Sequence, residues 1–398
     1  MEVGIVGKPN VGKSTFFNAL TLLDAPMAPY PFTTTVPNRG VAAVRAPCPH
    51  VEKGTPCAPG NAKCVNGVRW IPINLVDVPG LVPGAHAGKG LGHQFLDDLR
   101  ASDGFAQVVD LSGGTDAEGR IVAPGTHDPA EEVVWLEEEL VAWVAEILSR
   151  DFLRHARSTE LDGKKVEEFL AQRLTGLSIS AAAISATLRT VPVDRQHPAR
   201  WSDTDRVALA RELLRIAKPR IAAANKCDRA TKDAAAKLAA GIDPTPSVPT
   251  SAEAELTLRR AARAGMIDYA PGDADFTVKD PARLSPAQQK ALEEIRAVLR
   301  AWGSTGVQPA LESMVFRRLG QIVVYPVEDE NHWTDSRGRV LPDALLVPAG
   351  TPASEVAYRV HTDLGKNFIR AIDGRTHRAL AADHPVEPNS VIRIVARK

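Results

Sequence analysis

Short apolar runs alternate with amphipathic stretches through the first 130 residues of the chain. Val3–Val6, Val41–Val44, Arg69–Val76 and Phe105–Leu111 read as strands, and Lys13–Leu23 and Gly92–Ala101 as helices. Alternation of this kind predicts a parallel sheet with crossover helices. From Glu131 to Arg150 the period changes, and Val133, Leu136, Leu140, Val144 and Ile147 recur at helical spacing. Helical patterns continue at Val166–Leu174, Ser180–Arg189 and Asp203–Ile216. Strand character returns at Ile221–Ala224 and Ser247–Val248, followed by a helix over Ala254–Ala262. Two more helical runs, Ser285–Ala301 and Pro309–Leu319, lead to a different C-terminal pattern. There Ile322–Val327, Leu345–Val347 and Val391–Val395 read as strands around a helix at Ala353–Thr362. The expected organisation is an α/β domain over 1–130 and 205–270, with a helical insertion at 131–204. A helical bridge at 271–318 and a compact α+β module at 319–398 complete it.

Composition narrows the class. The 398 residues are 44% hydrophobic and 24% charged, which suits a globular protein of two or three domains and excludes a disordered or fibrous one. Forty-eight Lys plus Arg balance 48 Asp plus Glu, so no overall charge favours nucleic acid, and no DNA partner is expected. No apolar run reaches the ~18–20 residues that cross a bilayer. Met1 leads straight into an apolar strand without a charged leader, so a cytoplasmic location with no membrane partner is expected. The four cysteines are too few for a disulfide scaffold.

Gly7-Lys8-Pro9-Asn10-Val11-Gly12-Lys13-Ser14 fits G-x-x-x-x-G-K-[ST] between a strand and a helix. Such a loop curls backbone N–H groups around phosphates, and the helix N-terminus adds positive potential. Lys13 is expected to reach the β- and γ-phosphates, and Ser14 to bind Mg2+. Asp77-Val78-Pro79-Gly80 closes the strand Arg69–Val76 at the sheet end where ligands collect. Asp77 there would hold Mg2+ through water, and the Gly80 amide would sense the γ-phosphate. Asn225-Lys226-Cys227-Asp228 follows another strand. A carboxylate at Asp228 can accept from the ring N–H and the exocyclic amine of guanine, a pairing adenine does not offer. Lys226 would lie along the base, Asn225 would tie this loop to the P-loop, and Thr250-Ser251-Ala252-Glu253 would supply backbone donors to the guanine oxygen. Between the first two motifs, Thr33, Thr34 and Thr35 could complete the Mg2+ shell from a switch loop, and spacing does not choose among them.

The run Gly4–Leu20 resembles the Obg-type GTPases, as do Tyr30–Thr34 and Leu81-Val82-Pro83-Gly84-Ala85-His86-Ala87-Gly88-Lys89-Gly90-Leu91-Gly92. The resemblance is to the YchF (Obg-like) branch, particularly its archaeal-type members, and Val360–Phe368 is similar to the TGS signature. It implies a P-loop GTPase domain carrying a helical insertion, followed by a C-terminal α+β TGS domain of ubiquitin-like fold. The nucleotide set it implies is Gly7, Pro9, Asn10, Val11, Gly12, Lys13, Ser14, Thr15, Asp77, Gly80, Asn225, Lys226, Asp228, Ser251, Ala252 and Glu253. Family position selects Thr34 as the Mg2+-binding threonine. The implied activity is GTP hydrolysis to GDP and phosphate as a conformational switch, with a ribosome or RNA partner met through the TGS domain.

One departure bears on the base. The better-known YchF members have degraded N-K-x-D toward ATP, whereas this chain keeps Asn225-Lys226-Cys227-Asp228, so its residues argue for GTP. An ATP-preferring enzyme and a nucleotide-gated binding module with little turnover are the alternatives. Leu81 stands where many small GTPases carry a water-orienting glutamine, so slow basal turnover is expected. His86 matches a histidine of the family and could orient water, and Asn10 matches an asparagine that helps related GTPases hold K+. Cys48, His50, Cys57 and Cys64 could hold Zn2+. They lack a C-x-x-C pair and fit no familiar zinc spacing, so they read as reduced loop residues, with zinc as the alternative. Within Tyr358–Arg378, Arg359, Lys366, Arg370, Arg375 and Arg378 outnumber Asp363 and Asp373 and form a candidate RNA-facing patch.

Overall fold

A computed structural model of the chain describes residues 1–23, 37–78, 100–242 and 244–397. It forms two compact units, Met1–Val41 with Asn74–Met314 and Ala42–Ile73 with Val315–Lys398. Residues 42–73, assigned to the α/β domain from the sequence pattern, cluster with the C-terminal module, and the bridge runs with the first unit as far as Met314. Among the described residues no helix is long and apolar enough to cross a membrane.

The strands are β1 (Glu2–Val6), β2 (Asn38–Pro47), β3 (Lys63–Val65), β4 (Val68–Asp77), β5 (Gly104–Asp110), β6 (Arg220–Asn225) and β7 (Ser247–Pro249). In the first unit, β1 lies parallel between the end of β4 and β5, with Val3 opposite both Leu75 and Gly104. β6 and β7 extend the parallel sheet beyond β5. Every residue of β5 is buried, as expected of a strand covered on both faces. The P-loop helix Lys13–Thr21 buries Phe16, Phe17, Ala19 and Leu20. Arg259, on the helix Ala252–Arg263, donates to the carbonyls of Ala19 and Leu20 and so satisfies the end of that first helix.

The helical block forms as its periodicity predicts. Leu136, Leu140 and Val144 on the helix Pro129–Ser149 join one core with Phe152, Phe169, Leu188, Leu209 and Leu213. The helix Asp203–Ala217 belongs to this core as well, and it begins with a capping box between Ser202 and Asp205. Phe152–Leu161 is an additional helix that its polar composition hid. The small hairpin of β8 (Ile267–Asp268) and β9 (Thr277–Val278) packs with the helix Pro286–Trp302 around Leu258, Ile267, Phe276 and Leu292.

In the second unit, β10 (Gln321–Val327) pairs antiparallel with β11 (Leu345–Pro348) and parallel with β14 (Ser390–Ala396). β12 (Phe368–Asp373) and β13 (Ala379–Leu380) complete the sheet in the order β11-β10-β14-β12-β13. The helix Ala353–Val360 buries Ala353, Val356 and Ala357, and the first two share a core with Val324, Val347 and Ile392. The expected single helix here is broken at His361, and a second, Thr362–Lys366, follows. β3 and β4 form a hairpin whose two turn residues, Asn66 and Gly67, have φ of 50° and 80°. Asn-Gly at paired positive φ is the chemistry a tight type I′ hairpin demands.

Candidate functional site

The site grows from the C-terminal ends of β1, β5 and β6. Gly7 and Gly12 adopt φ of 145° and 100°. A Cβ at Gly7 would stand 2.4 Å from the Val108 carbonyl oxygen, and one at Gly12 would stand 2.4 Å from the Asn225 amide nitrogen. The two glycines of the motif are thus required by close approach as well as by backbone twist. Lys13 is buried, its Nζ donating to the Lys8 carbonyl at 2.8 Å. Burial pushes its ammonium down to about 8, against the pull of Asp77 and Glu132. The Ser14 hydroxyl donates to Asp77 Oδ2 at 2.9 Å. Asp77 is fully buried, and its Oδ1 has no hydrogen-bond partner. Burial pushes its carboxyl above the usual range, with Lys13 and Ser14 opposing.

β6 delivers the second half. Asn225 donates from Nδ2 to the Val11 carbonyl at 2.8 Å and accepts at Oδ1 from the Ala252 N–H at 3.0 Å. One side chain thereby joins the P-loop, the N-K-x-D loop and the Ser251-Ala252 turn. Asp228 Oδ1 accepts from the Ser251 hydroxyl at 2.7 Å, which orients the carboxylate. Lys226 has φ of 62° and places Nζ 2.7 Å from Asp110 Oδ2. Cys227 is buried, and burial pushes its thiol up to about 12.

Two of the expected backbone donors to the guanine oxygen already have partners. The Ser251 N–H is committed to the Thr305 carbonyl at 2.8 Å, and the Ala252 N–H is already shared with Asn225. A cleft of about 600 Å3 runs past Asn10, Gly12, Thr15, Asp110, Lys226 and Glu253. A neighbouring one of about 690 Å3 is lined by Asp228, Ser251 and Glu253 on one side and Val298 and Trp302 on the other. Gly80, Thr34 and His86, together with Leu81, lie outside the described residues.

Several participants carry no motif signal. Asp110, at the buried end of β5, accepts from the N–H and hydroxyl of Ser112, from the Thr115 hydroxyl and from Lys226. Burial works against ionisation, yet Lys226 and Ser112 hold the carboxyl below the usual range. The loop that follows covers the P-loop: Asn10 Nδ2 donates to the Gly119 carbonyl at 2.9 Å, and Lys8 Nζ to the Thr115 carbonyl at 2.7 Å. Gly306 approaches so closely that a Cβ would meet the Pro249 oxygen at 1.8 Å, bracing the Ser251 turn.

Lys8 also pairs with Glu132 at 2.7 Å, both side chains being almost wholly buried. Burial pushes the Glu132 carboxyl up to about 7, against the pull of Lys8. Lys8→Met should therefore destabilise the fold by about 3–5 kcal/mol, as removal of one member of a buried pair does. A carboxyl raised above its unfolded value costs stability as pH rises, and losing Lys8 raises it further. The loss should accordingly be smaller below pH 7 than above it. Urea unfolding on either side of that value checks this; equal losses would detach Glu132 from the effect.

Comparison with known proteins agrees with this geometry. The family described as "50S ribosome-binding GTPase" matches residues 2–142, "Obg-like GTPase YGR210-like, G4 motif-containing domain" matches 223–329, and "TGS domain" matches 338–396. An uncharacterised GTP-binding protein of Methanocaldococcus jannaschii is 43% identical over 99% of this chain and 98% of its own length. One of Schizosaccharomyces pombe is 36% identical over 90% of this chain and 89% of its own. The crystal structure of a GTP-binding protein from Pyrococcus horikoshii superposes with a TM-score of 0.81 at 36% identity, covering 100% of both chains. With strand, P-loop, N-K-x-D loop and TGS module all in place, the chain belongs to the YchF-type branch of the Obg-like GTPases, GTP-binding P-loop enzymes.

Proposed function

We propose that this GTPase is a magnesium-dependent conformational switch that reads guanine through Asp228 and acts on the ribosome. The observation that carries the reading is Asn225, whose single amide links the phosphate loop at Val11 to the base loop at Ala252. Nucleotide on one side is thereby coupled to the base-reading carboxylate on the other. Asp228, held by Ser251, would accept from the guanine ring N–H and amine, with Ala252 as a shared donor to the oxygen. Lys13 would leave the Lys8 carbonyl for the β/γ-phosphates. Gly7 and Pro9 through Thr15 would cradle the phosphates.

The oxygen donors near the P-loop fit a hard divalent cation: the Ser14 hydroxyl touches Asp77, whose other oxygen is buried without a hydrogen bond. Ser14 would hold Mg2+ directly and Asp77 through water, with Thr34 as the third protein group. The ion would neutralise charge on the phosphate oxygens. Asn10, beside the loop at Gly119, is the residue for a monovalent cation, and His86 the one for orienting water.

The ribosome reading rests on the family description for residues 2–142 and on the TGS match. Of the candidate basic patch, Arg375 is taken, since its Nε bonds both oxygens of Glu52, and Arg359 pairs with Glu355. Lys366 and Arg370 are exposed and remain the patch to test. Multiple-turnover phosphate release should be slow with GTP and Mg2+, faster in potassium than in sodium, and stimulated by ribosomes. Reversing the charge of Lys366 and Arg370 should reduce ribosome co-sedimentation without changing GTP affinity. Unstimulated turnover together with unchanged co-sedimentation would remove the ribosome from the account.

A further inference from the structure

Four residues scattered along the excursion between β2 and β4 meet at one point. Cys48 follows β2, His50 opens the short helix His50–Lys53, Cys57 lies in the connecting loop and Cys64 is the middle residue of β3. Their ligating atoms all fall within 4.8 Å of one another. Cys48 Sγ is 3.9 Å from Cys57 Sγ, and Cys64 Sγ is 3.6 Å from His50 Nδ1. A tetrahedral zinc ion with ordinary bond lengths sets sulfur–sulfur edges of about 3.8 Å and sulfur–nitrogen edges of about 3.5 Å. The cysteines are not disulfide-bonded.

A second observation points the same way. Arg69 is fully buried, and β4 pairs it directly with Cys64 across the hairpin. Its Nη2 donates to Cys48 Sγ at 3.4 Å and to the Leu341 carbonyl at 2.9 Å, and its guanidinium faces the Tyr325 ring. Nε and Nη1 have no hydrogen-bond partner, and among the described residues no carboxylate pairs with it. A buried cation needs an anion. Three protonated thiols and an imidazole supply none, whereas three thiolates and a neutral imidazole around a divalent ion carry one net negative charge.

We propose that Cys48, His50, Cys57 and Cys64 bind one zinc ion in a closed Cys3His site, with Arg69 as its buried counter-charge. Three thiolates and one imidazole suit zinc, and four protein ligands leave no open position, so the site is structural. The segment it would hold has little core of its own: a four-residue helix and a three-residue strand. That segment docks on the C-terminal module through Ala58 to Val340, Asn61 to Ala344 and Lys53 to Asn331, with Lys53 also over the Trp333 ring. Zinc would fix the segment's shape and thereby those contacts.

The full chain, produced with zinc in the medium and purified without chelators, should carry one zinc per molecule by elemental analysis. Cys57→Ser with Cys64→Ser should lose the metal and lower the melting temperature while keeping GTP affinity, and His50→Cys should retain it. Cobalt titrated into metal-stripped wild-type protein should give the visible bands of four-coordinate cobalt with thiolate charge transfer, a readout that needs no variant to fold. Wild-type zinc content no higher than that of the double variant, iron in its place, or an octahedral cobalt spectrum would overturn the assignment.

Discussion

Lys13→Ala is expected to abolish tight triphosphate binding. The lysine is buried beside Asp77 and bonded to the Lys8 carbonyl, so in the free protein its charge is already poorly solvated. Phosphate oxygens would give that charge a better partner than a single carbonyl. Truncating a buried, hydrogen-bonded charge contact costs about 2–5 kcal/mol, or roughly 30- to 4,000-fold in affinity. The depressed value of about 8 adds a pH signature. Phosphates pull an ammonium's pKa upward, so binding near or above that value takes up a proton, and wild-type affinity should fall as pH rises through it. Calorimetry in buffers of different ionisation enthalpy would read the proton, and Lys13→Arg should remove that uptake. Unchanged GTP affinity in Lys13→Ala would detach the P-loop from nucleotide binding.

Asp228→Asn should exchange guanine for xanthine. The carboxylate, oriented by Ser251, offers two acceptors to guanine. An amide presents a donor where the guanine amine also donates, while the second carbonyl of xanthine can accept from it. The expected loss for GTP is again about 2–5 kcal/mol, accompanied by a gain for xanthosine triphosphate. Competition binding with both nucleotides measures the exchange. A variant that loses GTP with no gain for the xanthine nucleotide would mean that Asp228 only supports the loop.

The readable parts of this protein are those where chemistry and chain order coincide. The P-loop from Gly7 to Ser14 joins one strand to one helix through one turn, contiguous in sequence, so composition and spacing suffice. The N-K-x-D loop is equally local, and the Asn225 link to the P-loop follows from its motif. The helical insertion was legible because Leu136, Leu140 and Val144 share one buried stripe. What escaped depends on distant segments. Asp110 and Glu132 look like ordinary acidic residues until β5 and the helix Pro129–Ser149 bury them beside Lys226 and Lys8. The Ser251 N–H reads as a donor to the base because Thr305, whose carbonyl occupies it, is far away in sequence. β12 gives little strand signal because Arg370 and Ile369 are exposed on a short strand whose partners, β13 and β14, lie further along the chain. Spacing alone discounts the cysteines, although Asn66-Gly67 announces the hairpin that brings Cys64 back to Cys48 and His50.

The retained N-K-x-D loop should make this YchF-type chain a guanine-specific enzyme. Equilibrium affinities of the wild-type protein for GTP and ATP, measured by competition in Mg2+ and potassium, test it most directly. A site that pairs polar groups with one base rejects the other strongly, so GTP should bind roughly 100-fold or more tighter. Equal affinity, or a preference for ATP, would contradict the account.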